Sequence, residues 1–270
     1  MKRDQPEHLG SILKYAEKSR GKTSDFTYTP YKNESGPGRA ILLVSCEHGG
    51  HRIPARYRAL FSGRQALLHS HRGYDAGALQ LAQALARALA APLLFSTVSR
   101  LLIDLNRSPH HPRLYSEATR ALPPTQRRAI FERYYQPYRN TLRHWIADAV
   151  DGGQRVVHLS CHSFTPELGG RVRNADLGLL YDPARASEAA LCRRWQALLG
   201  MRMPGLAVRR NYPYQGKADS FTTELRRHFA DDQYCGIEIE INQSRLAGAR
   251  TWTALRQAII DTLRATLVEA

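Results

Sequence analysis

Short apolar runs alternate with amphipathic stretches along most of the chain beyond residue 39. The run 40–46 (AILLVSC) is continuously apolar, which is typical of a strand buried on both faces of a parallel sheet. Residues 77–91 and 124–150 instead carry their apolar side chains at helical spacing, and the second stretch begins with a proline, which suits the first turn of a helix. The same patterns predict further strands at 92–98, 101–106, 155–161, 177–182, 206–211 and 235–242, and further helices at 187–199 and 251–268.

This alternation of strands and helices predicts the fold class. It favours an α/β protein with a three-layer α/β/α arrangement, in which a mainly parallel, mixed sheet is covered by helices on both faces. Residues 39–270 are expected to form one such domain. Residues 1–38 are polar and end in KNESGPG, so we expect a polar N-terminal extension with a helical piece at LGSILKYAEK. In a sheet of this kind the ligand binds at the carboxyl ends of the strands.

The composition narrows the class of protein. At 43% hydrophobic residues, the 270-residue chain has enough apolar side chains for a substantial core. No apolar stretch approaches the roughly 18 residues of a membrane span, and MKRDQPEHLG lacks the apolar segment of a signal peptide. We therefore expect a cytoplasmic protein with no membrane partner. The four cysteines form no C-x-x-C pair, which favours buried free thiols over a disulfide framework.

The formal net charge of +15 is the strongest feature of the composition. An excess of this size favours anionic partners, among them nucleic acids and acidic substrates. The basic residues are mostly arginines and are scattered, with no long basic block, so nucleic acid is the less favoured partner. A small acidic substrate and a solvated basic surface both remain consistent with the charge.

A histidine follows each of two predicted strands. His48 follows the strand 40–46, and His162 follows the strand 155–161. Two imidazoles at the ends of two sheet strands can converge on one zinc ion at about 2.0–2.1 Å. A catalytic zinc needs a third protein ligand and an open position for water. The candidates are His51, three residues after His48, and Asp75, which also suits the N-cap of the helix 77–91.

Acidic and basic side chains near other strand ends complete the candidate site. Glu238 and Glu240 are two residues apart, so both carboxylates lie on one face of their strand. A buried acid is costly unless it is paired or used, and Glu240 is placed to remove a proton from a water molecule. Arg100 and the pair Asn106-Arg107 offer the donors that bind a carboxylate through two parallel hydrogen bonds.

The chain contains, in order, the segments CEHGGHRIP, HRGYDAGALQLA, SRLLIDLNRSPHHPRLY, HSFTP and EIEINQSRL. In this order they resemble the N-formylglutamate amidohydrolases over about residues 41–246. That family is related to zinc carboxypeptidases and aspartoacylases, so the resemblance implies a phosphorylase/hydrolase-like fold. It further implies hydrolysis of N-formyl-L-glutamate to glutamate and formate in histidine degradation.

The resemblance also implies roles for particular residues. His48 and His162 correspond to the metal-binding histidines, with Zn²⁺ or another divalent transition metal as cofactor, and Asp75 is preferred over His51 as the third ligand. Glu240 corresponds to the catalytic glutamate. In the same scheme Arg100 polarises the oxyanion that develops on the substrate. The substrate carboxylates are assigned to four residues: Asn106, Arg107, Arg171 and Arg173.

One departure from the family pattern concerns the surroundings of the second histidine. Many relatives have the motif D-x-H-S, whereas this chain has Ser160 in the place of the aspartate. Loss of a partner of this kind changes metal affinity or rate by about tenfold or more. Two alternatives to the formylglutamate reaction stay open. One is a carboxypeptidase-like or other deacylase with a different substrate, and the other is a basic nucleic-acid-binding protein with a vestigial site.

Overall fold

The computed structural model describes residues 26–29 and 40–268. In these residues seven strands form the main sheet: β1 (Thr27–Thr29), β2 (Ala40–Cys46), β3 (Leu93–Phe95), β4 (Arg155–Phe164), β7 (Leu177–Leu180), β8 (Val208–Arg210) and β9 (Tyr234–Asn242). Their order in the sheet is β1-β3-β2-β4-β9-β7-β8, and two short strands form a separate hairpin. The hairpin consists of β5 (Glu167–Leu168) and β6 (Arg171–Val172).

The sheet is mixed but mostly parallel. Strands β3, β2, β4 and β9 run parallel to one another, and β8 is parallel to β7. The antiparallel pairs are β1 with β3 and β7 with β9. The carboxyl ends of β2, β4 and β9 therefore meet at one edge, where side chains from three strands can converge.

Helices pack on both faces of this sheet. The α-helices are α1 (Gln65–Leu68), α2 (Ala78–Ala88), α3 (Glu117–Arg120), α4 (Pro124–Ile130), α5 (Gln136–Asp151), α6 (Ala186–Arg202), α7 (Phe221–His228) and α8 (Ala249–Val268). A π-helical turn, Phe131–Tyr135, joins α4 to α5, and 3₁₀ turns occupy Ala55–Phe61 and Gln243–Leu246. Within the two described ranges, no helix combines the length and apolar character needed to cross a membrane.

Two apolar clusters, one on each face of the sheet, form the core. The first includes Leu81 of α2, Trp195 of α6 and Ile259 of α8, and the second includes Leu142 and Ile146 of α5. The sheet thus lies between two helical layers, which confirms the predicted three-layer α/β/α fold.

On β4 the alternation of side chains separates two environments. Val157, Leu159 and Cys161 belong to the first apolar cluster. Because successive side chains of a strand point to opposite faces, His158, Ser160 and His162 lie on the other face, all of them buried. A polar row therefore crosses the interior on the side of α5.

Several predicted elements differ from those observed. Residues 101–106 form turns rather than a strand: their leucines and isoleucine are buried, but Leu102 N donates to Ser99 O and Asp104 N to Leu114 O. The predicted helix 124–150 contains the π-helical turn. Thr27–Thr29, inside the predicted extension 1–38, pairs with β3, so the sheet begins before the expected boundary at residue 39. The helix predicted at LGSILKYAEK lies outside the described residues.

The cysteines agree with the sequence prediction. All four are buried and free, and none forms a disulfide: Cys46, Cys161, Cys192 and Cys235. Burial raises the pKa of each thiol, so these residues act as small apolar side chains in the core.

The close approach of a loop to β7 makes a glycine indispensable there. A Cβ atom on Gly178 would lie 2.0 Å from Tyr212 O and 3.2 Å from the Cβ of Glu240. We expect Gly178→Ala to lower the free energy of unfolding in urea by about 2–4 kcal/mol because the loop or strand must shift. Gly200→Ala is the control: a Cβ atom added there in α6 would meet nothing within 4 Å beyond the adjacent backbone of its own helix, so the change should be neutral or stabilise by up to about 1 kcal/mol. Equal stability of Gly178→Ala and wild type would contradict the described approach.

Candidate metal and catalytic site

The predicted site residues converge at the edge formed by β2, β4 and β9. His48 lies two residues beyond the end of β2, and His162 lies near the end of β4. Glu240 of β9 is the register partner of His162. Asp75 precedes α2, and its backbone N donates to His48 O at 2.9 Å, which ties the two segments together. The local chain path thus brings four polar side chains to one place.

His48, Asp75 and His162 form a compact buried cluster. Asp75 Oδ2 lies 3.3 Å from His48 Nδ1 and 2.8 Å from His162 Nδ1. One ligand atom from each residue can be chosen so that all lie within 4.8 Å of one another. Two imidazole nitrogens and one carboxylate oxygen are a usual protein ligand set for zinc.

The second nitrogen of each imidazole is also engaged. His48 Nε2 lies 2.7 Å from Asp104 Oδ1. His162 Nε2 lies 2.9 Å from Ser160 Oγ and 3.3 Å from Glu47 Oε2. Hydrogen bonds of this kind fix the orientation and tautomer of metal-binding histidines. The cluster therefore fits a divalent transition metal in both its donor atoms and their support.

Asp104 and Glu47 were missed by the sequence analysis. Each carries a signal, since Asp104 interrupts an apolar run (LLIDLN) and Glu47 follows one (LLVSCE). Burial would raise the pKa of both carboxyls. For Asp104 this is outweighed by Arg100 and His48, and for Glu47 by His162 and Ser160, so both pKa values lie well below their usual range.

Asp75 carries its charge for the same reason. Burial would raise its pKa, but His48 and His162 outweigh that effect and hold the pKa of Asp75 far below the usual range. Arg100 adds positive charge at the edge of the cluster. It donates to Asp104 Oδ2 through Nε (3.2 Å) and Nη2 (2.7 Å), and its Nη1 lies 3.5 Å from Asp75 Oδ1.

Glu240 differs from these carboxylates in having no strong partner. Its Oε2 is buried and makes no hydrogen bond to the described part of the chain. Burial raises the pKa of Glu240 to about 8, with His162 and Arg100 opposing the shift. Glu238, on the same face, accepts a hydrogen bond from Thr222 Oγ1 at 2.6 Å. Of the two glutamates, Glu240 is the one placed to exchange a proton with a bound molecule.

The pair Asn106-Arg107 lies in a tightly held turn beside the cluster. Asn106 Nδ2 is 3.3 Å from His162 Nε2, and Asn106 Oδ1 accepts from Phe221 N at 2.8 Å. Arg107 Nη1 donates to Asp219 O at 2.8 Å. Contacts with Asp219 and Phe221 thus hold the side chains of Asn106 and Arg107 beside the candidate metal site.

The loop that carries Asn106 and Arg107 is also held by side chains of α5 and of the π-helical turn. Tyr135 Oη donates to Arg107 O at 2.6 Å. Arg139, almost fully buried, donates to Leu105 O at 2.8 Å and to Arg107 O at 3.1 Å, and forms an ion pair with Glu224. π-Helical turns occur often at functional sites. Here Tyr135 of the π-helical turn and Arg139 of α5 both donate to Arg107 O.

The remaining predicted site residues lie outside the cluster. His51 packs its ring on His69 and Tyr74, with centroids 4.2 Å and 5.0 Å away, and does not belong to the candidate metal group. Arg171 is exposed on β6. Arg173 stacks on Phe164 and Tyr214 (5.8 Å and 5.1 Å) and donates to Tyr214 Oη at 3.1 Å, without an ion pair or hydrogen bond to the cluster.

Fold and site together define an α/β protein with a candidate metal-dependent hydrolytic centre. The sequence profile described as N-formylglutamate amidohydrolase matches residues 40–247, and the chain belongs to this family. Family membership supports hydrolysis of an amide bond. No curated protein sequence matches the chain significantly.

Two solved structures are similar to this chain over most of its length. A gene product from Agrobacterium tumefaciens, Atu2144, is 28% identical, with a TM-score of 0.76 over 93% of this chain and 97% of that chain. An N-formylglutamate amidohydrolase from Ralstonia eutropha JMP134 is 21% identical, with a TM-score of 0.63 over 90% of this chain and 97% of that chain. The second likeness shows the fold.

The burial of Glu240 predicts a pH-dependent stability in metal-free protein. Its folded-state pKa, about 8, lies above the value of 4.5 for an unperturbed glutamate, so the folded state binds the extra proton between these limits. Stability is therefore lost as the pH rises from about 5 to 9. We expect Glu240→Gln to unfold like wild type near pH 5 but to be about 2–4 kcal/mol more stable near pH 9 in urea titrations. A difference that is the same at both pH values would contradict the raised pKa.

Proposed function

We propose that the protein is a metal-dependent amidohydrolase that removes an acyl group, formyl in the leading case, from an acidic N-acyl amino acid such as N-formyl-L-glutamate. The observation that carries this proposal is the buried cluster of His48, Asp75 and His162 next to Glu240. Glu240 has a buried oxygen that lacks a hydrogen-bond partner among the described residues. Family membership supports the amide bond as the target.

The three clustered residues would hold Zn²⁺ or another divalent transition metal. When bound, such an ion supplies Lewis acidity, which lowers the pKa of a water molecule and polarises a carbonyl group. His48 and His162 would use Nδ1, because their Nε2 atoms face Asp104 and Ser160. The protein itself supplies the orientation of the donors and their exclusion from bulk water.

Glu240 carries the proton transfers of the proposed reaction. Its carboxylate accepts a proton from the attacking water as the water oxygen bonds to the acyl carbon. It then gives this proton to the amide nitrogen as the C–N bond breaks, so the products are a carboxylic acid and a free amine. A carboxyl group with a pKa near the working pH is suited to both steps.

The arginines are assigned to the two ends of the substrate. Arg100 is proposed to stabilise the developing oxyanion through Nη1, whose contact to Asp75 is long at 3.5 Å. Asn106 and Arg107 are proposed to hold the α-carboxylate, and Arg173, with Arg171 at the hairpin, the second carboxylate. Arg173 is restrained by Phe164 and Tyr214, which favours it over the exposed Arg171 as the specific contact.

Activity and metal content test the proposal directly. The zinc-loaded protein should release formate and glutamate from N-formyl-L-glutamate, lose this activity on chelation and regain it with Zn²⁺. Glu240→Gln should keep its metal but lower kcat by about 10²–10⁴-fold, because only proton transfer is removed. Glu238→Gln is the matched control and should lose far less, since that carboxylate is bound to Thr222. Full activity in metal-free protein, or in Glu240→Gln, would refute the scheme.

A substrate panel separates the reaction classes in the same assay. Release of free amine is compared for N-formyl and N-acetyl derivatives of glutamate, aspartate and leucine, and for short peptides. The proposal expects the acidic N-acyl amino acids to have the highest kcat/KM. Preference for peptides or neutral acyl amino acids would favour the carboxypeptidase-like or other deacylase. Tight, strongly salt-dependent binding of DNA without bound metal would favour a nucleic-acid-binding protein.

The hydroxyl of Tyr135 tests the assignment of Arg107. Tyr135→Phe removes the 2.6 Å hydrogen bond to Arg107 O. Loss of one such bond should raise KM for the acidic substrate about 3–10-fold with little change in kcat, because binding and not chemistry is affected. Tyr115→Phe is a matched control that removes a 2.9 Å bond to Arg127 O in α4 and should leave both constants unchanged. A fall in kcat at constant KM would place Arg107 in the chemical step instead.

A further inference from the structure

A buried carboxylate that the proposed reaction does not use lies directly behind His162. Glu47 is 1% exposed and belongs to the first residues after β2. Its Oε1 accepts from Tyr138 Oη at 3.1 Å, and its Oε2 accepts from Ser160 Oγ at 2.6 Å. The same Oε2 is 3.3 Å from His162 Nε2. Every close partner of this carboxylate is thus a side chain of the sheet face or of α5.

Ser160 connects the carboxylate to the histidine. Its Oγ lies 2.9 Å from His162 Nε2 and 2.6 Å from Glu47 Oε2. A hydroxyl can accept one hydrogen bond and donate another. Because Ser160 Oγ–H donates to Glu47, its oxygen accepts from His162 Nε2–H, in one continuous chain. The Asn106 amide nitrogen, 3.3 Å from the same Nε2, is then a neighbour of the ring and not a donor to it. Hydrogen bonds in such a chain polarise and strengthen one another.

We propose that Glu47, acting through Ser160, is the positioning carboxylate that orients His162 for metal binding. This inference rests on the proposed function, because it assumes that His162 binds a metal through Nδ1. Glu47 and Ser160 together then serve as the partner that a single aspartate at position 160 would provide. The carboxylate comes from the end of β2 instead of from β4 itself.

The arrangement gives each histidine of the cluster its own carboxylate. His48 Nε2 faces Asp104 Oδ1 at 2.7 Å, and His162 Nε2 faces the Ser160–Glu47 chain. A proton held on Nε2 leaves the Nδ1 lone pair free for a metal ion and makes the ring a stronger donor. In both rings Nδ1 is the nitrogen that faces Asp75, so a metal ion bound by Asp75 would meet the same nitrogen of each histidine.

A purely structural role does not account for a charged residue at this position. One partner of Glu47 is the fully buried Tyr138, whose hydroxyl has a second acceptor in Leu94 O at 3.3 Å. A buried ion of this kind costs several kcal/mol before its partners compensate, and an apolar residue of similar size would pack there without that cost. What only a carboxylate supplies here is negative charge, and Glu47 Oε2 places it 2.6 Å from Ser160 Oγ and 3.3 Å from His162 Nε2.

Zinc affinity is the decisive measurement, because it does not depend on turnover. We expect Glu47→Gln to weaken Zn²⁺ binding about 10–100-fold in competition with a chromophoric chelator, while the protein stays folded. Glu238→Gln is the matched control: that carboxylate is buried on the same face and accepts from a hydroxyl, but it touches neither histidine, so zinc affinity should not change. Ser160→Ala, which removes only the bridging hydroxyl, should weaken zinc binding by a smaller factor than Glu47→Gln.

A double variant tests the position of the charge and not only its presence. Ser160→Asp alone would place two carboxylates side by side in the interior and should weaken the protein in both stability and zinc binding. In the background of Glu47→Gln the same change supplies the missing carboxylate, so the double variant should regain most of the lost zinc affinity. Recovery of this kind cannot arise if Glu47 only supports the fold.

The possible outcomes distinguish this inference from the proposed function. If wild type binds Zn²⁺ tightly and Glu47→Gln binds it equally well, only the positioning role of Glu47 is refuted. The same holds if the double variant binds no better than Glu47→Gln. If wild type binds no divalent ion, the proposed function fails, and this inference fails with it. If Glu47→Gln does not fold, Ser160→Ala decides, because unchanged zinc affinity in that variant breaks the proposed chain.

Discussion

Pairing of buried charge is the constraint on which the site depends. Asp75, Asp104 and Glu47 are almost inaccessible to water, and each lies within hydrogen-bonding distance of His48, His162 or a side chain that contacts one of them. Loss of one partner from such a pair leaves an uncompensated buried charge and costs about 3–5 kcal/mol. The two imidazole rings are therefore held between carboxylates on both sides. The contacts that stabilise these buried charges also fix the directions of the nitrogen and oxygen atoms that could bind a metal ion.

The fold and the centre of the site could be predicted from sequence because they follow from local patterns. Apolar runs such as 40–46 are recognisable as buried strands, and parallel neighbours bring their carboxyl ends to one edge. A polar residue directly after such a run can therefore be assigned to the ligand-binding edge of the sheet without knowledge of the strand order. His48 and His162 follow from this rule, and Glu240 follows from its place as a buried acid within the apolar strand 235–242. Asp75 is preferred over His51 only by resemblance.

The partners of these residues could not be predicted, because they depend on contacts between distant parts of the chain. Asp104 lies 56 positions from His48, and its segment 101–106 has the apolar pattern of a strand although it forms turns. Glu47 reaches Ser160 across 113 positions, which no local periodicity records. Short-range patterns describe which residues are buried, but the choice of hydrogen-bond partner is made by packing of the complete sheet.

The π-helical turn Phe131–Tyr135 makes the contacts of the loop around Arg107 depend on the length of the helix before it. Each residue added to or removed from a helix rotates all following side chains by about 100°. The turn changes the rotational register of the helix, and it is in this register that Tyr135 and Arg139 both donate to Arg107 O. Relatives with identical metal-binding residues but a regular helix would present different side chains to this loop. A change in helix length can therefore alter how the loop around Arg107 is held without any change at His48, Asp75 or His162.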